Sequence, residues 1–207
     1  MKTLLKAPLA AAGLLVFASI SPNEINAFPQ SWGGSQQVPG VGHEGDGAGV
    51  ALYDIDNNGR LDMILMAYDD PSGSNEFRYR VGKNVDQNGR VASWSGWRRI
   101  AGMGHNGDGA GVALADLDRN GRPEMVMMVY DAPSGSNNFR YRVARNLNAN
   151  GVPQSVGSSI QIGGVGNRGD GADIAIGDVD RDGRLDIVLA AYDDPSGPNN
   201  FRVRVGR

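Results

Sequence analysis

The chain has 207 residues, a formal net charge of −3 at pH 7 and no cysteine. This length allows one domain or two small ones. The mildly acidic balance gives no electrostatic reason to expect a nucleic acid or an anionic membrane as a partner. Without cysteine, the fold must be held by its core, by assembly or by bound metal instead of disulfides.

The first 27 residues are predicted to be a secretory signal. Lys2 and Lys6 give a positive start, residues 9–20 form an apolar run that is short for a membrane span, and Ala27 offers a cleavage point. Cleavage after Ala18 and retention as a membrane anchor are the alternatives. No later stretch approaches a transmembrane length, so we expect secretion to the periplasm or the extracellular space.

Three repeats with a period of 62 residues occupy the chain from residue 28 onward. The first copy begins GHEGDGAGVALYDIDNNGRLD at residue 42, and matching copies begin at residues 104 and 166 without insertion or deletion. A fixed period predicts one structural unit per copy. The predicted units are about 41–102, 103–164 and 165–207, preceded by a separate N-terminal strand at 28–40.

Each unit is predicted to contain four antiparallel strands. In the first copy these are a short apolar strand at 48–55, a strand buried on both faces at 61–68, an alternating strand at 76–81 and a more polar strand at 93–100. Clusters of Asp, Asn, Gly, Pro and Ser separate them as turns. Four strands graded from apolar to polar are typical of a β-propeller blade.

The phase of the repeat predicts an assembly. Residues 31–38 match residues 93–100 at the 62-residue offset, and residue 207 lies in a third strand. Three blades are fewer than the roughly four to eight that close a propeller. We therefore predict a homodimer, or another homo-oligomer, in which each N-terminal strand completes the partner's last blade. A threefold β-trefoil-like monomer and an open three-blade arc are the alternatives.

An acidic loop recurs between the first two strands of each unit. It reads DIDNNGRLD at 54–62, DLDRNGRPE at 116–124 and DVDRDGRLD at 178–186, which we name the first, second and third loops. Alternating oxygen donors around a turn glycine suit Ca²⁺, which takes six to eight hard oxygen ligands. In the competing interpretation, the acids only accept hydrogen bonds from the backbone in an Asx-type turn. Repulsion among three or four acids per loop favours the metal.

Calcium is therefore the predicted cofactor, with about three ions per chain, and the third loop should bind most tightly because it has four carboxylates. The predicted side-chain ligands are Asp54, Asp56, Asn58 and Asp62, then Asp116, Asp118, Asn120 and Glu124, and finally Asp178, Asp180, Asp182 and Asp186. The backbone carbonyls of Arg60, Arg122 and Arg184 complete the three sets.

The three loops, with a GDGAG stretch about eight residues before the first two, resemble the FG-GAP/VCBS repeat family. That family includes the calcium-bearing blades of integrin α-subunits and a fungal seven-bladed lectin. The resemblance covers about residues 28–207. It implies a β-propeller with calcium between the first two strands of a blade, and a role in adhesion, ligand binding or sugar binding. The chain departs from the family in having only three blades.

A second set of residues is predicted to contact a ligand. Aromatic rings beside carboxylate and amide groups suit a sugar, whose C–H faces stack and whose hydroxyls need directional partners. In the competing interpretation, the tyrosines belong to the core, the asparagines form turns and the aspartates cap backbone groups. The candidates are Asp46, Tyr68, Asn75, Trp94, Asp108, Tyr130, Asn137, Asp170, Tyr192 and Asn199.

The sequence therefore predicts a secreted, calcium-binding β-propeller that binds carbohydrate, such as a cell-surface glycan, in the manner of a lectin or adhesin. The alternative is a structural or protein-interaction module in which calcium only joins strands. A glycan-active enzyme is not expected. No nucleophile–base arrangement is visible, and the acid pair Asp69–Asp70 becomes Asp131–Ala132 in the second copy.

Overall fold

The structure is a computed structural model, and it describes residues 35, 37–38, 45–69, 75–101, 109–130, 138–163, 169–193 and 200–207. Over these residues the chain is all-β, with thirteen strands and no helix, all of them in the compact unit Gln36–Arg207. The all-β prediction is confirmed. The predicted signal and most of the predicted strand at 28–40 lie outside the described residues.

The strands form three antiparallel sheets in chain order. Sheet 1 contains β1 (Gly45–Tyr53), β2 (Asp62–Asp69), β3 (Phe77–Val85), β4 (Val91–Trp94) and β5 (Arg98–Ile100). Sheet 2 contains β6 (Gly109–Ala115), β7 (Glu124–Tyr130), β8 (Phe139–Arg145), β9 (Ser155–Val156) and β10 (Ile160–Ile162). Sheet 3 contains β11 (Gly169–Gly177), β12 (Asp186–Asp193) and β13 (Phe201–Gly206).

The first three strands of every sheet have the same register. In sheet 1, Val50 pairs with Leu65, which pairs in turn with Arg80. The residues 62 positions later, Val112, Met127 and Arg142, pair in the same way in sheet 2. Ile174, Leu189 and Arg204 repeat the pattern in sheet 3. Equivalent residues of the three sheets can therefore be compared position by position.

The fourth strand predicted at 93–100 is interrupted in the structure. β4 and β5 both pair with β3, and β9 and β10 both pair with β8. At the interruption in sheet 1, the N–H of Val81 donates to the hydroxyl of Ser95 at 2.9 Å. The N–H of Ser95 donates to the carbonyl of Val81 at 2.8 Å. A serine hydroxyl thus replaces one backbone partner, and the strand divides into two.

Sheet 2 packs between the other two sheets. One face of sheet 1, including Ile64 and Phe77, shares a core cluster with Met125 and Met127 of sheet 2. Residues on the opposite face of sheet 2 share a second cluster with Leu189 and others of sheet 3. As a result, every residue of β7 is buried. The prediction of a second strand buried on both faces is therefore met fully only in the middle sheet.

The described part of the chain contains no apolar helix of membrane-spanning length.

Candidate functional site

Each acidic loop reverses the chain between the first and second strands of its sheet. The fourth and sixth residues of the loop have left-handed backbone angles, with φ of 56° at Asn57 and 85° at Gly59 in the first loop. The second and third loops repeat this conformation at Arg119, Gly121, Arg181 and Gly183. Glycine adopts this conformation without steric cost and asparagine tolerates it well. The three loops therefore present their side chains from one backbone shape.

The first acid of each loop orders the turn. The carboxylate of Asp54 accepts hydrogen bonds from the N–H groups of Asn58 at 3.0 Å and Gly59 at 2.7 Å. In the second loop Asp116 accepts from Asn120 at 3.0 Å and Gly121 at 2.8 Å. These are the Asx-turn contacts of the competing interpretation. Because each carboxylate oxygen has two lone pairs, such contacts leave acceptor capacity for a cation.

The last acid of each loop, which we call the closing acid, is Asp62, Glu124 or Asp186, and all three are buried. Glu124 accepts the N–H of Leu117 at 2.8 Å and the N–H of Asn146 at 3.0 Å. One carboxylate therefore joins the start of its own loop to the end of the third strand. Burial of a carboxylate without a proton is costly unless such partners are present.

Two acid clusters have the dimensions of a cation site. The second-loop cluster contains Asp116, Asp118 and Glu124, the third-loop cluster contains Asp178, Asp180 and Asp186, and one oxygen from each member lies within 4.8 Å of the others. Calcium–oxygen distances of about 2.3–2.6 Å put oxygens on opposite sides of one ion about 4.6–5.2 Å apart. The three oxygens of each cluster therefore fit within a single coordination sphere.

The fifth residue of each loop adds an oxygen beside the acids. The side-chain oxygens of Asn58, Asn120 and Asp182 accept the N–H groups of Arg60, Arg122 and Arg184 at 2.9, 2.9 and 2.7 Å. The three arginines are exposed at the loop tips. Their backbones are thus held against the side chains that the sequence predicts to be ligands.

The first loop differs because an ammonium group lies among its acids. Lys83 Nζ is 2.7 Å from Asp56 Oδ2 and 2.6 Å from Asp62 Oδ2, and it donates to the carbonyl of Ala149 at 2.9 Å. Burial by itself would lower the pKa of Lys83, but the hydrogen bonds to the two carboxylates outweigh it and the pKa is raised. The first loop therefore carries its own counter-charge.

The contact of Lys83 with the first loop was not predicted from the sequence, although Lys83 is the only lysine after residue 27. Its counterparts are Arg145, which is exposed, and Arg207, whose Nε lies 3.6 Å from Asp180 Oδ2. Asp56 Oδ1, on the other side of the same carboxylate, is buried and has no hydrogen-bond donor within the described residues. The first loop thus still presents one unsatisfied oxygen.

Two tyrosines of the candidate ligand set are core residues. Tyr68 and Tyr130 are fully buried, and their rings lie edge-on to Phe77 and Phe139 with centroids 5.0 Å apart. Tyr192, which is half-buried, lies 5.1 Å from the ring of Phe201. Tyr68 and Tyr130 therefore offer no exposed ring on which a sugar could stack.

The other described candidates also have structural roles. Asn75 has a φ of 50° and its carbonyl accepts the hydroxyl of Tyr68 at 3.2 Å, so it is a turn residue. Trp94 is half-buried and covers Gly82, where an added methyl group would lie 2.9 Å from the indole. Asp108, Asn137 and Asn199 lie outside the described residues. Asp46 and Asp170 lie in described strands, but their side chains are not described.

Two equivalent grooves lie between neighbouring sheets, and the sequence interpretation missed both. The groove between sheets 1 and 2 has a volume of about 600 Å³, and the groove between sheets 2 and 3 about 330 Å³. Three lining positions correspond at the 62-residue offset, namely Tyr79 with Tyr141, Ile100 with Ile162 and Arg142 with Arg204. The lining comes from different repeats, so a single repeat gives no signal for it.

The first groove contains a buried donor with no partner. Arg98 Nη1 is buried and has no hydrogen-bond acceptor within the described residues. Nearby, Arg142 donates to the carbonyls of Gly157 at 2.9 Å and Ala101 at 2.6 Å, and the hydroxyl of Tyr79 donates to the carbonyl of Gly151 at 3.0 Å. Burial raises the pKa of Tyr79 and the charge of Arg98 partly opposes this, so the phenol stays neutral beside the arginine.

Neither a comparison with models of known protein families nor a search of curated proteins gave a match. The resemblance to FG-GAP/VCBS repeats stays a prediction that depends on the loop residues themselves.

Proposed function

We propose that the protein is an exported, calcium-stabilised binding module whose ligand is a carbohydrate. The observation that carries the metal part is the pair of acid clusters, Asp116–Asp118–Glu124 and Asp178–Asp180–Asp186, in loops of one backbone shape. Their donors are carboxylate oxygens, which hard divalent cations prefer over nitrogen and sulfur ligands. Calcium suits these irregular loops better than magnesium, which demands near-ideal octahedral geometry.

In this proposal the ion has a structural role. Asp116 and Asp178 order their loops through backbone hydrogen bonds. Glu124 and Asp186 join the end of each loop to its start, and Glu124 also contacts the end of the third strand. A bound divalent cation would neutralise the repulsion among the acids. It would thereby hold together the start of the loop, the end of the loop and the third strand. The first loop takes an ion only if Lys83 moves away from Asp56 and Asp62.

The carbohydrate part of the proposal is supported by the groove between sheets 1 and 2. Arg98 Nη1 supplies an unused donor, and Ile100, Val152 and Val156 supply an apolar wall. Sugars combine apolar C–H faces with many acceptor oxygens, and a guanidinium pairs best with a carboxylate or sulfate. We therefore assign an acidic sugar to the groove. The groove between sheets 2 and 3 lacks this donor, because Ile160 stands at the position equivalent to Arg98, so the assignment applies to the first groove.

The test is a glycan array probed with the wild-type protein and with Arg98→Ala, each with calcium and with chelator. We expect binding to uronate, sialylated or sulfated glycans and a loss of at least about tenfold in Arg98→Ala, because a charged hydrogen bond is removed. Arg90→Ala is the matched control, since Arg90 is an exposed arginine in the turn after β3 and outside the groove. Binding that is unchanged in Arg98→Ala would overturn the groove assignment.

The alternative function is a protein-interaction module in which calcium only joins strands. The double backbone contact of Glu124 favours it, because that contact joins two segments without any ligand. A protein that binds calcium but no glycan on the array would support this alternative. Export itself is tested separately, by locating the protein in cells that express the full chain and by sequencing its N-terminus.

A further inference from the structure

One face of each sheet changes from buried to exposed along the chain. We call it the trailing face, and it carries Phe77 in sheet 1, Phe139 in sheet 2 and Phe201 in sheet 3. Phe77 and Phe139 are 0% exposed, because sheets 2 and 3 cover them, whereas Phe201 is 76% exposed. Val203 and Val205 on the same face of sheet 3 are 55% and 44% exposed. Sheet 3 thus presents an uncovered apolar surface.

The opposite face shows the reverse order. This leading face carries Val50 in sheet 1, Val112 in sheet 2 and Ile174 in sheet 3. Val112 and Ile174 are 4% and 6% exposed, whereas Val50 is 59% exposed and its neighbour Leu52 is 48% exposed. On this side of the first sheet, none of the described residues provides the cover that the other two sheets have.

A glycine at the sheet boundary repeats the asymmetry. A methyl group on Gly47 would lie 2.5 Å from the backbone nitrogen of Ala110, and one on Gly109 would clash with the backbone of Ala172. Glycine is needed at both positions because the neighbouring backbone comes so close. The equivalent residue of sheet 3 is Gly171, and no described residue lies within 4 Å of that position. Within the described part of one chain, no neighbour requires a glycine there.

We infer that a second copy of this chain covers both faces, with sheet 3 of one copy packing on sheet 1 of the other. The occupant is identified by the two boundaries inside the chain. There, a trailing face with Phe77 or Phe139 packs on a leading face with Val112 or Ile174. Phe201 and Val50 occupy the equivalent positions on those two surfaces, so the same kind of apolar contact is available between two copies.

Two copies satisfy both faces at once. Each copy has one uncovered trailing face and one uncovered leading face, so a twofold pair forms two identical junctions and leaves no open end. The resulting six sheets lie within the roughly four to eight that a closed ring of sheets contains. The junction between copies depends on packing alone and requires neither the proposed metal nor the proposed sugar.

The trailing face of sheet 3 differs from those of the other two sheets at four positions. Asp173 replaces Gly49 and Gly111, Gly177 replaces Tyr53 and Ala115, Ala190 replaces Met66 and Met128, and Val203 replaces Tyr79 and Tyr141. At Gly49 an added methyl group would lie 3.0 Å from Val112, so Asp173 requires the two faces to separate slightly there. The smaller Val203 leaves space for that adjustment. The junction between copies should therefore be looser near Asp173 than the boundaries within a chain.

The first test is the mass of the purified protein by light scattering, for the wild type and two glycine variants. We expect the wild type to have twice the chain mass. Gly171→Val should have the mass of a single chain with an unchanged circular dichroism spectrum, since its site is open within the chain. Gly177→Val is the matched control, because Gly177 also lies in β11 in open space. Its counterparts are Tyr53 and Ala115, so the other two sheets carry a side chain at this position. Gly177→Val should remain dimeric.

The second test establishes that the two faces pair with each other. Val50→Glu and Gly171→Val each damage one face, so each variant alone has two damaged junctions and should be monomeric. In an equimolar mixture of the two variants, one junction combines the two intact faces. We therefore expect dimers to reappear in the mixture. Val152→Glu is the control, because Val152 is exposed and lies on neither face, and this variant should be dimeric alone. A monomeric wild type, or a mixture without dimers, would overturn the inference.

Discussion

Lys83 determines the charge of the first loop. Its ammonium contacts Asp56 and Asp62, the acids whose counterparts in the other loops belong to the acid clusters. A divalent cation and an ammonium group cannot occupy one small set of carboxylates together, because like charges at a few ångströms repel strongly. Under the proposed calcium binding, the number of ions per chain therefore depends on Lys83, a residue outside the loop.

We expect the wild-type chain to bind two calcium ions and Lys83→Ala to bind three. Removal of the ammonium leaves Asp56 and Asp62 without their counter-charge, so the first loop becomes equivalent to the other two. Titration calorimetry of metal-free protein gives the stoichiometry directly. Arg145→Ala is the control, since Arg145 is the exposed counterpart in sheet 2, and it should leave the count unchanged. Three ions in the wild type would contradict the blocking role of Lys83.

The closing acids and the loop acids have separable roles. Glu124 is buried and accepts two backbone N–H groups, whereas Asp118 is exposed and accepts the N–H of Asn120 at 3.3 Å. Loss of a buried acceptor should destabilise the fold even without metal, while loss of an exposed acid that the proposal assigns as a ligand should weaken metal binding alone.

Glu124→Gln should lower the free energy of unfolding of the metal-free protein by about 1–3 kcal/mol, because one of the two N–H groups loses its acceptor. Asp118→Asn should change that value by less than about 0.5 kcal/mol and should weaken calcium binding at the second loop. Urea unfolding with chelator measures the first effect and calorimetry the second. Equal stability of both variants in chelator would show that Glu124 acts only as a metal ligand.

Strands β1, β6 and β11 bring neighbouring sheets into close contact. The glycines at their starts let the backbones of successive sheets approach, as the clash predicted for a methyl group on Gly109 shows. The periodicity of the strands places apolar residues on both faces. The glycines decide how near the faces come, and therefore how well the core between sheets is filled.

Gly109→Ala should lower the free energy of unfolding by about 1–3 kcal/mol, the usual cost of forcing an extra carbon into a packed boundary. Gly177→Ala is the control at an open strand position, and it should be neutral or slightly stabilising because alanine restricts the unfolded chain. Denaturant unfolding of both variants provides the comparison. A neutral Gly109→Ala would mean that the boundary between sheets 2 and 3 can widen at no cost.

At the scale of the whole molecule, stability should depend on calcium. The described chain has no disulfide to hold its hairpins, and its acid clusters repel when empty. A ligand that binds only the folded state adds about 2.7 kcal/mol per site at a concentration one hundred times its dissociation constant.

Chelation should therefore lower the melting temperature by several degrees, since about 1 kcal/mol corresponds to roughly 2–4 °C in a domain of this size. Excess calcium should restore the original value, and magnesium should restore it only in part. Differential scanning calorimetry measures the shift, and the protein concentration must be constant because a dimer is also stabilised by mass action. A melting temperature that does not respond to chelator would remove the metal from the proposal.

The sequence by itself determined the features that depend on neighbouring residues. The turn glycines Gly59, Gly121 and Gly183 and the acids around them are local, so the three loops could be located and given a chemistry. Strand alternation and the 62-residue period predicted the first three strands of each sheet within a few residues. The interruption of the fourth strand was missed, because it depends on a hydrogen bond between Ser95 and the adjacent strand.

Only the tertiary structure decided which of these residues are available to a ligand. Tyr68 looks like a binding residue in the sequence and is a core residue in the fold, because sheet 2 covers its face. Lys83 reaches the first loop from the third strand, and Arg142 reaches a carbonyl of the preceding repeat. Phe77 and Phe201 occupy equivalent positions of the repeat and have opposite exposure. Local pattern fixes the conformation of a segment, but burial depends on which other segment lies against it.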